Sequence, residues 1–348
     1  MKINNIFKLF VLSIFIITSC SDDDSGPSFQ SNVLVINEGN FLSAEGSITG
    51  FNSSTGEVEA DLYHSTNGFA IAATIQQVET FGNEFFITCN NPDKLEVINS
   101  TSLMNSGTIS EGFASPYAFA AKGDKGFVTN WGTYNSDTYG YDDPFLAVVD
   151  LTDLTISSTI PWDFQPQDVL VIGGNLYVSN VNSNSITVLD IATLEEVVSI
   201  ETPAGPDKME LDAAGDIWVI CTSGNLAKID VATNEVVKTI ENVPTSGFNE
   251  KMVLNAEKNK IYFLSITYDA DWVATSNVFE ISTTASSAPS TPIVSSASFY
   301  GIGIDGEVLY VGDHNNYQGN GTVFRYDLQG EEIDNFESGI VPNGFIFR

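Results

Sequence analysis

A strand-turn-strand unit that recurs seven times predicts that this chain is all-β and folds as a seven-bladed β-propeller. Segments with the apolar spacing of an amphipathic helix are nearly absent, whereas short β-branched and aromatic runs bounded by Gly, Asn, Asp or Ser are frequent. The repeats begin roughly 40 to 50 residues apart, which is the spacing of four-stranded blades. With 43% hydrophobic residues among 348, the chain can fill the core of such a ring.

The clearest repeat is 176–200, LYVSNVNSNSITVLDIATLEEVVSI. It contains three short apolar runs that are typical of strands, separated by a polar loop and a tight turn. The turn starts at Asp190 and carries Thr193. The short side chains of these two residues can accept hydrogen bonds from their own backbone. The same order of strands, with Asp and Thr at the same places, returns in 217–240.

Each blade is predicted to run from an inner strand A outward to strand D. Strand B recurs along the chain at 33–36, 85–88, 126–129, 176–178, 217–220, 260–263 and 308–311. The segments just before it, such as 167–171 and 207–212, are the inner strands. The chain therefore starts on strand B of the first blade and ends at 344–348 on a lone strand A. We expect this C-terminal strand to join the N-terminal blade and close the ring, because closure removes an exposed sheet edge.

The first 19 residues are predicted to be a lipoprotein signal peptide. Two lysines precede a run at 9–17 that is apolar except for Ser13, and small polar residues separate this run from Cys20. The run is too short for a permanent membrane-spanning helix. The junction resembles a bacterial lipobox, in which Cys20 becomes the lipidated first residue of the mature protein.

Residues 20–31 are predicted to form a lipidated flexible tether, followed by the propeller at 32–348. The acidic run 22–24 resembles the export tag that sends lipoproteins of Bacteroidota-type cells to the outer face of the outer membrane, and the alternative is a solvated spacer. Acyl chains contribute about 0.8 kcal/mol per buried methylene, so several of them hold a protein firmly. The predicted location is the cell surface, with a lipid anchor in the outer membrane.

The charge of the chain limits its partners. Without the first 19 residues it carries 11 basic and 45 acidic residues, a formal charge of −34. Such a chain repels phosphate backbones, so nucleic acid is excluded as a partner. The acids also keep a membrane-tethered protein soluble.

Cysteine usage predicts no disulfide. Apart from Cys20, the chain has Cys89 and Cys221, which end the B strands of the second and fifth blades. These positions lie on opposite sides of the ring, too far apart for a bond. We expect free, mostly buried thiols.

The predicted register sorts the loops onto two faces. The A-to-B turns are tight, whereas the B-to-C loops on the other face are long and variable, at 37–46, 130–144, 265–277 and 312–321. Long loops on a rigid scaffold are where function is expected. We call this side the loop face.

The loop face collects aromatic and amide side chains, which suit a flat or ring-bearing polar ligand such as a sugar, a macrocycle or a peptide strand. The alternative is that the aromatics pack the loops together and that the asparagines occupy turns. The candidate ligand-binding residues are Asn37, Glu38, Asn40, Phe41, Asn90, Asn130, Trp131, Tyr134, Trp162, Asn180, Phe248, Tyr268, Trp272, Tyr300, Asp313, His314, Asn315 and Tyr317.

Two sets of residues are candidates for metal binding. His64 and His314 lie near the ends of the first and seventh blades, where a pair could hold a metal or act as a base. Hard oxygen ligands for calcium could come from Asp142, Asp143, Asp269 and Asp271, although their spacing matches no EF-hand loop. The established catalytic motifs for serine hydrolases, zinc proteases, P-loop enzymes and dinucleotide-binding enzymes are missing from the sequence.

The 176–200 segment resembles the YVTN-type β-propeller repeat of bacterial surface proteins, and the resemblance extends over 32–348. The opening NVLVINEGN is similar to propeller lipoproteins of the Bacteroidota group. Some proteins of that group are surface propellers that capture a cobamide such as vitamin B12 and pass it to a TonB-dependent transporter. The resemblance is specific for the fold, and the ligand it implies is an analogy.

The sequence thus favours a lipid-anchored, monomeric surface propeller that captures a nutrient, either a cobamide-like molecule or a glycan, next to a TonB-dependent transporter. One alternative is a metal-assisted propeller enzyme of the lactonase or lyase type, which needs His64, His314 or the loop aspartates to converge. The other is an adhesion module that binds a protein through a flat apolar patch.

Overall fold

Seven antiparallel sheets of four strands each account for nearly all of the secondary structure in the computed structural model, which describes residues 31–41, 43–271 and 273–348. The predicted signal peptide, the lipidated Cys20 and all of the predicted tether except Ser31 lie outside the described residues. Trp272 lies outside them as well. The prediction of an all-β, seven-bladed propeller is confirmed.

The first three blades have the following strands. Blade 1 contains β1 (Val33–Asn37), β2 (Ser47–Phe51), β3 (Val58–Glu59) and the C-terminal strand β30 (Pro342–Phe347). Blade 2 contains β4 (Thr74–Phe81), β5 (Glu84–Asn90), β6 (Lys94–Asn99) and β7 (Asn105–Ile109). Blade 3 contains β8 (Pro116–Lys122), β9 (Lys125–Asn130), β12 (Phe145–Asp150) and β13 (Thr155–Pro161), with a separate hairpin of β10 (Thr133–Asn135) and β11 (Gly140–Asp142) in its B-to-C loop.

The remaining four blades are continuous in sequence. Blade 4 contains β14 (Pro166–Ile172), β15 (Asn175–Asn180), β16 (Ser185–Asp190) and β17 (Glu196–Glu201). Blade 5 contains β18 (Pro206–Leu211), β19 (Ile217–Cys221), β20 (Asn225–Asp230) and β21 (Glu235–Glu241). Blade 6 contains β22 (Lys251–Leu254), β23 (Lys260–Tyr268), β24 (Ala274–Ser282) and β25 (Val294–Ser296). Blade 7 contains β26 (Phe299–Asp305), β27 (Val308–Asp313), β28 (Thr322–Asp327) and β29 (Glu332–Glu337).

Helical structure in the described part of the chain is limited to α1 (Leu62–Asn67), between blades 1 and 2, and a 3₁₀ turn at Asn315–Tyr317. The helix begins where the Asp61 side chain accepts a hydrogen bond from the His64 backbone N–H. No helix in the described residues has the length and apolar character needed to cross a bilayer.

The C-terminal strand closes the ring as the sequence predicts. β1 pairs with β2 on one side and with β30 on the other, and Leu34 lies opposite Ile346. The start and the end of the propeller therefore share one sheet. Closure gives β1 a hydrogen-bonding partner on both edges.

The core lies between neighbouring blades. Val178 and Leu176 of blade 4 pack with Phe127 and Val148 of blade 3, and equivalent apolar clusters fill the interfaces on to blade 7 and back to blade 1. The middle strands are apolar on both faces, because each sheet is covered on both sides. This explains why strand B reads as a continuous apolar run rather than an alternating one.

The C-to-D turn repeats the hydrogen bonds expected from its Asp and Thr. The Asp190 carboxylate accepts from the backbone N–H groups of Ala192 and Thr193, at 2.9 Å each. Asp230 accepts from Ala232 and Thr233 in the same way. These side chains fold back on their own turn, as predicted.

A hydroxyl near the end of strand B joins each of several blades to the next. The Ser179 Oγ accepts from the Asp168 backbone N–H at 3.0 Å and donates to the Asp207 carbonyl of blade 5 at 2.7 Å. Thr88 and Thr129 occupy the same place in blades 2 and 3 and donate to the inner strand of the following blade. This shared contact explains why Ser or Thr stands at this position of the repeat.

Replacing Ser179 with Ala is expected to destabilise the propeller by about 1–3 kcal/mol, because a buried N–H and a buried carbonyl lose their partner. Chemical denaturation of the variant measures the change. Ser179→Thr is the matched control, since Thr keeps the hydroxyl that blades 2 and 3 use. Equal stability of the Ala variant and the wild type would contradict this role of the hydroxyl.

Candidate functional site

A channel of about 250 Å³ runs along the axis of the ring. The inner strands of all seven blades line it, and each contributes at least one side chain or backbone segment. The residues facing it include Gln77, Ala118, Asp168, Lys208, Lys251, Ile302 and Gly344. The predicted inner strands are therefore the strands that form the channel wall.

Four inner strands begin with proline, at Pro116, Pro166, Pro206 and Pro342. The pairing register shifts as at a β-bulge in β8, β14 and β18. A similar shift occurs in β1 where it lies opposite the start of β30. Proline suits such a place because it has no N–H to give to the ladder. The residue after each proline lines the channel where it opens on the loop face, and these residues are Tyr117, Gln167, Asp207 and Asn343.

Hydrogen bonds between side chains cross this opening. The Glu38 carboxylate accepts from Tyr300 Oη and from Asn343 Nδ2, each at 2.9 Å. Lys251 Nζ donates to Asn343 Oδ1 at 2.5 Å. We call Glu38, Lys251, Tyr300 and Asn343 the mouth cluster; it joins blades 6, 7 and 1.

A further contact spans the ring from blade 3 to the loop before blade 6. There the Tyr117 hydroxyl donates to Asn249 Oδ1. Both residues line the channel. The opening is thus bridged on one side by this contact and on the other by the mouth cluster.

Two groups of aromatic rings extend from the opening. The first arm comprises Tyr117, Trp131, Tyr141 and Tyr134: Trp131 stacks on Tyr117 with 4.8 Å between ring centroids, and Tyr141 packs edge-on against both Trp131 and Tyr134. The inserted hairpin of blade 3 supplies Tyr134 and Tyr141. This arm leads from the channel to a tyrosine that is 54% exposed.

The second arm comprises Tyr300, His314 and Tyr317 of blade 7. His314 stacks on Tyr317 at 4.0 Å, and Tyr300 meets both rings edge-on. Burial lowers the pKa of His314, so the ring is neutral near pH 7. Its Nδ1, like Trp131 Nε1 in the first arm, has no hydrogen-bond partner within the described chain.

Two groups of charged side chains line the channel, and each combines one lysine with three carboxylic acids. The upper tier, beside the mouth, consists of Glu38, Asp207, Glu250 and Lys251. Burial raises the pKa of Asp207 to about 6 and that of Glu250 to about 8. Burial also lowers the pKa of Lys251, although Glu38 and Asp207 oppose this. Three carboxylates and one ammonium would leave a formal charge of −2.

The lower tier consists of Glu79, Asp168, Lys208 and Glu210. Lys208 Nζ lies 3.1 Å from the Asp168 carboxylate. Burial alone would lower the pKa of Lys208, but the charges of Asp168 and Glu210 outweigh it and raise the pKa. Burial raises the pKa of Glu79 to about 7.

The structure brings together several of the predicted ligand-binding residues. Glu38 and Tyr300 belong to the mouth cluster, and Trp131, Tyr134, His314 and Tyr317 belong to the two arms. Other predicted aromatics on loops of the same face are about half exposed, namely Phe41, Phe248 and Tyr268. Asn40 and the exposed Asn315 lie in the B-to-C loops of blades 1 and 7.

The asparagines at the ends of the B strands lie inside the blades instead. Asn37, Asn130 and Asn180 are fully buried. Asn37 and Asn180 donate to hydroxyls of their own blade, and Asn130 donates to the Val128 carbonyl. Asn180 also accepts from Trp162 Nε1 at 2.8 Å, which holds Trp162 against blade 4. The side chains of Asn37, Asn130, Asn180 and Trp162 therefore stabilise the fold.

Asp313 occupies the equivalent position in blade 7, whereas in blade 2 Cys89 stands at this position and Asn90 follows it. Asn90 accepts from Gln76 Nε2 at 3.2 Å. Asp313 is 6% exposed and accepts from the Ser298 hydroxyl and the Asn315 backbone N–H. The Asp313 carboxylate thus anchors the loop that follows it.

The candidate metal ligands do not converge. His64 lies on α1, which packs on the outer strands of blade 2 through the Tyr63–Glu96 hydrogen bond, whereas His314 lies at the channel mouth. Asp142 accepts from Asn135 in blade 3, and Asp269 caps its own loop in blade 6, while Asp143 and Asp271 adjoin them in sequence. No group of three or more metal-ligating side chains is present in the described residues.

The two cysteines within the described chain, Cys89 and Cys221, are free and fully buried, as predicted. Burial raises the pKa of both thiols to about 12, which keeps them protonated.

Sequence reasoning missed Tyr117, Gln167, Asp207, Asn249, Lys251 and Asn343. The signal that could have found four of them is the proline that opens the inner strand, since the next residue faces the channel mouth. In blade 6 the residue equivalent to these four is Glu250, and Asn249 and Lys251 lie on either side of it. No proline precedes it to mark the bend.

Comparison with known proteins agrees with this architecture. A search of curated proteins finds no match. Among solved structures, a quinonprotein alcohol dehydrogenase-like protein from Bacteroides thetaiotaomicron is 14% identical, with a TM-score of 0.67 over 92% of this chain and 78% of that one. A putative 6-phosphogluconolactonase from Bacteroides fragilis is 14% identical, with a TM-score of 0.64 over 94% and 100%.

Hydrazine synthase from Kuenenia stuttgartiensis is 20% identical, with a TM-score of 0.58 over 76% of this chain and 86% of that one. At these identities the similarity shows the fold alone. Residues 31–338 match the family described as Domain of unknown function (DUF5074). This match covers most of the sequence, and the chain belongs to the DUF5074 family.

Proposed function

We propose that this protein binds a ring-bearing polar molecule at the channel mouth and captures it for uptake across the outer membrane. The observation that carries the proposal is the convergence of two aromatic arms on the opening of the channel, where the mouth cluster lies. The arms offer ring faces for stacking, and the cluster offers a carboxylate, an amide and an amine for orientation. Such a combination of apolar faces and a few polar groups is typical of small-molecule sites.

The size of the site supports a ligand that lies on the loop face. The channel, at about 250 Å³, is smaller than the roughly 300–1,000 Å³ of pockets for drug-sized molecules. A cobamide-like macrocycle or a glycan would therefore rest on Trp131 and Tyr317, with a side group directed toward Lys251. Phe41, Phe248 and Tyr268 extend the aromatic surface around it.

The cellular setting is part of the same proposal. The lipobox-like junction at Cys20 and the acidic residues after it support a lipid-anchored protein on the cell surface. A TonB-dependent transporter is the partner that would receive the captured molecule. The resemblance to cobamide-binding surface propellers supports this order of events.

A thermal-shift and calorimetric screen of residues 30–348 against cyanocobalamin, oligosaccharides, haem and calcium tests the binding. A ligand at 100 times its dissociation constant should stabilise the protein by about 2.7 kcal/mol. Trp131→Ala and Tyr317→Ala are each expected to weaken binding at least tenfold, or about 1.4 kcal/mol.

Phe69→Ala is the matched control. Phe69 is 51% exposed and follows α1 on the outer side of the ring, so its loss should leave the affinity unchanged. No stabilisation by any compound, or binding that neither arm variant weakens, would contradict the proposal. Binding of calcium alone would indicate an ion site instead.

A further inference from the structure

A lysine and an asparagine of the mouth cluster are close enough to react with each other. Lys251 Nζ lies 2.5 Å from Asn343 Oδ1, and Asn343 is 8% exposed. The C=O bond of an amide is about 1.2 Å long, so Nζ lies at most about 3.7 Å from the Cγ carbon of Asn343. Reacting atoms that are held about 3–3.5 Å apart are close to the geometry of attack. The amine is therefore placed to react with the amide carbon.

The surrounding structure holds both side chains in place. The Lys251 amine lies over the ring of Tyr300, 5.6 Å from its centroid. Asn343 stands near the start of β30, and a Cβ atom on Gly301 of β26 would lie 2.6 Å from the Asn343 carbonyl group. The missing side chain at Gly301 thus lets β30 approach blade 7 closely. This keeps Asn343 within reach of a lysine from blade 6, on the other side of blade 7.

A carboxyl group stands at the nitrogen end of the same amide. Glu38 accepts from Asn343 Nδ2 and from Tyr300 Oη, each at 2.9 Å. Burial raises the pKa of Glu38, although Lys251 and Tyr300 oppose this. A carboxyl group beside the reacting atoms can take up a proton and pass it on. Glu38 therefore faces the nitrogen that would leave Asn343 as ammonia.

We propose that Lys251 and Asn343 form an amide cross-link after the ring has closed. The neutral Lys251 amine attacks Asn343 Cγ, so that a bond forms between Nζ and Cγ. Glu38 takes a proton from Nζ and gives it to Nδ2. The bond between Cγ and Nδ2 then breaks, and ammonia leaves through the channel mouth. The exchange is an acyl transfer in which no atom is oxidised or reduced, and it needs no further reactant.

The reaction is slow in the newly folded protein, because the lysine must first lose a proton. Burial and the neighbouring Lys208 lower the pKa of Lys251, whereas Glu38 and Asp207 raise it. The other titratable groups around the cluster are Glu250, Tyr117, Tyr300, Tyr317 and His314. Burial keeps the three phenols neutral at pH 9. The ammonium described above is thus the starting state, and the bond should form faster at pH 9 than at pH 7.

The cross-link would join the inner strands of blades 6 and 1, which are β22 and β30. It would connect positions that are 92 residues apart in the chain. A cross-link over such a distance restricts the unfolded chain and so stabilises the folded one. The strand that closes the ring would be held covalently. This inference goes beyond the proposed capture function and does not depend on it, because the bond forms without a ligand.

Intact-mass spectrometry of residues 30–348 during incubation at 37 °C and pH 9 tests the bond. We expect the folded protein to lose about 17 Da, the mass of ammonia, and to keep that loss. Tryptic digestion should then give one branched peptide in which Lys251 is joined to Asn343. The loss should be slower at pH 7, and it should be absent in guanidinium chloride because the unfolded chain separates the two residues.

Lys251→Arg should prevent the loss, and Glu38→Gln should slow it about a hundredfold. Lys122→Arg is the matched control, because Lys122 is an exposed lysine at the end of β8, and it should react like the wild type. Lys251→Arg also separates the cross-link from cyclisation of Asn343 onto the backbone nitrogen of Gly344, which releases the same mass without a lysine. No loss of mass from the folded wild type, or an equal loss from Lys251→Arg, would overturn the proposal.

Discussion

Ending the chain after Val341 is expected to abolish the stable folded ring. The truncation removes β30, which is the inner strand of blade 1 and pairs along the whole length of β1. It leaves β1 with an open edge in the middle of the structure, and an open apolar edge promotes aggregation. It also removes Phe345 and Phe347, whose rings pack against the buried Tyr310 of blade 7.

The size of the effect follows from the position of the strand. Losing one large aromatic from a core costs about 3–5 kcal/mol, and most domains are stable by only about 5–15 kcal/mol. Removing two rings and a full ladder of hydrogen bonds therefore exceeds the margin. Near-ultraviolet circular dichroism and size-exclusion chromatography should show loss of fixed tertiary structure and aggregation.

A circular permutant is the control for the position of the break. Joining residue 348 to residue 32 through a short linker, with new termini at the exposed turn 192–194, keeps every strand of every blade. Exposed turns tolerate such cuts, so we expect the permutant to fold. A truncated chain that melts cooperatively at the wild-type temperature would show that closure by β30 is dispensable.

The ring could be predicted from the sequence because each blade repeats the same local signals. The turn at Asp190 and Thr193, the apolar B strand and the spacing of the repeats are properties of nearby residues. Ring closure followed from counting strands at the two ends. None of these steps required knowledge of a contact between distant side chains.

The candidate site could be predicted only in part, for a physical reason. The loop aromatics Trp131, His314 and Tyr317 stand out because large rings on long loops are unusual. Lys251 and Tyr117 do not stand out, since each lies at the start of an inner strand. Their importance comes from contacts across the ring, such as Tyr117 with Asn249, which no local pattern encodes.

The strand-end asparagines are residues that the sequence suggests for the site but that the structure places inside the blades. Asn37 and Asn180 lie next to loops on the functional face, and an amide there suits a ligand as well as it suits the fold. The register decides between these roles, because alternate residues of a strand point to opposite sides. Their side chains point into the blade, where the amide N–H groups donate to hydroxyls of the next strand.

Replacing Lys251 with Met should produce the largest functional and electrostatic effect of any single substitution at the mouth. The change removes the ammonium that faces Glu38 and Asp207 and that donates to Asn343. Leaving buried polar and charged groups without a partner costs about 1–3 kcal/mol, so we expect a loss of this size at pH 8. Ligand binding at the mouth should weaken as well, because the cluster loses its orienting amine.

The effect should depend on pH with a definite sign. Burial raises the pKa of Asp207 to about 6 and of Glu250 to about 8, above their ordinary values of 3.8 and 4.5. At pH values between the ordinary and the raised pKa of each group, the folded protein binds more protons than the unfolded chain. The free energy of unfolding therefore falls as the pH rises. The wild type should therefore be more stable near pH 5 than near pH 8.

The variant should amplify this dependence, because without the ammonium the carboxylates repel one another more strongly once ionised. Near pH 5 Asp207 and Glu250 are largely protonated, and the Met variant should approach the stability of the wild type. Melting temperatures from calorimetry between pH 5 and pH 9 measure the difference, and Lys122→Met, at an exposed lysine at the end of β8, controls for the loss of one positive charge. If the Met variant melts below the wild type by the same amount at pH 5 and pH 8, Lys251 acts by packing. The acids of the upper tier would then be ionised at both pH values or neutral at both.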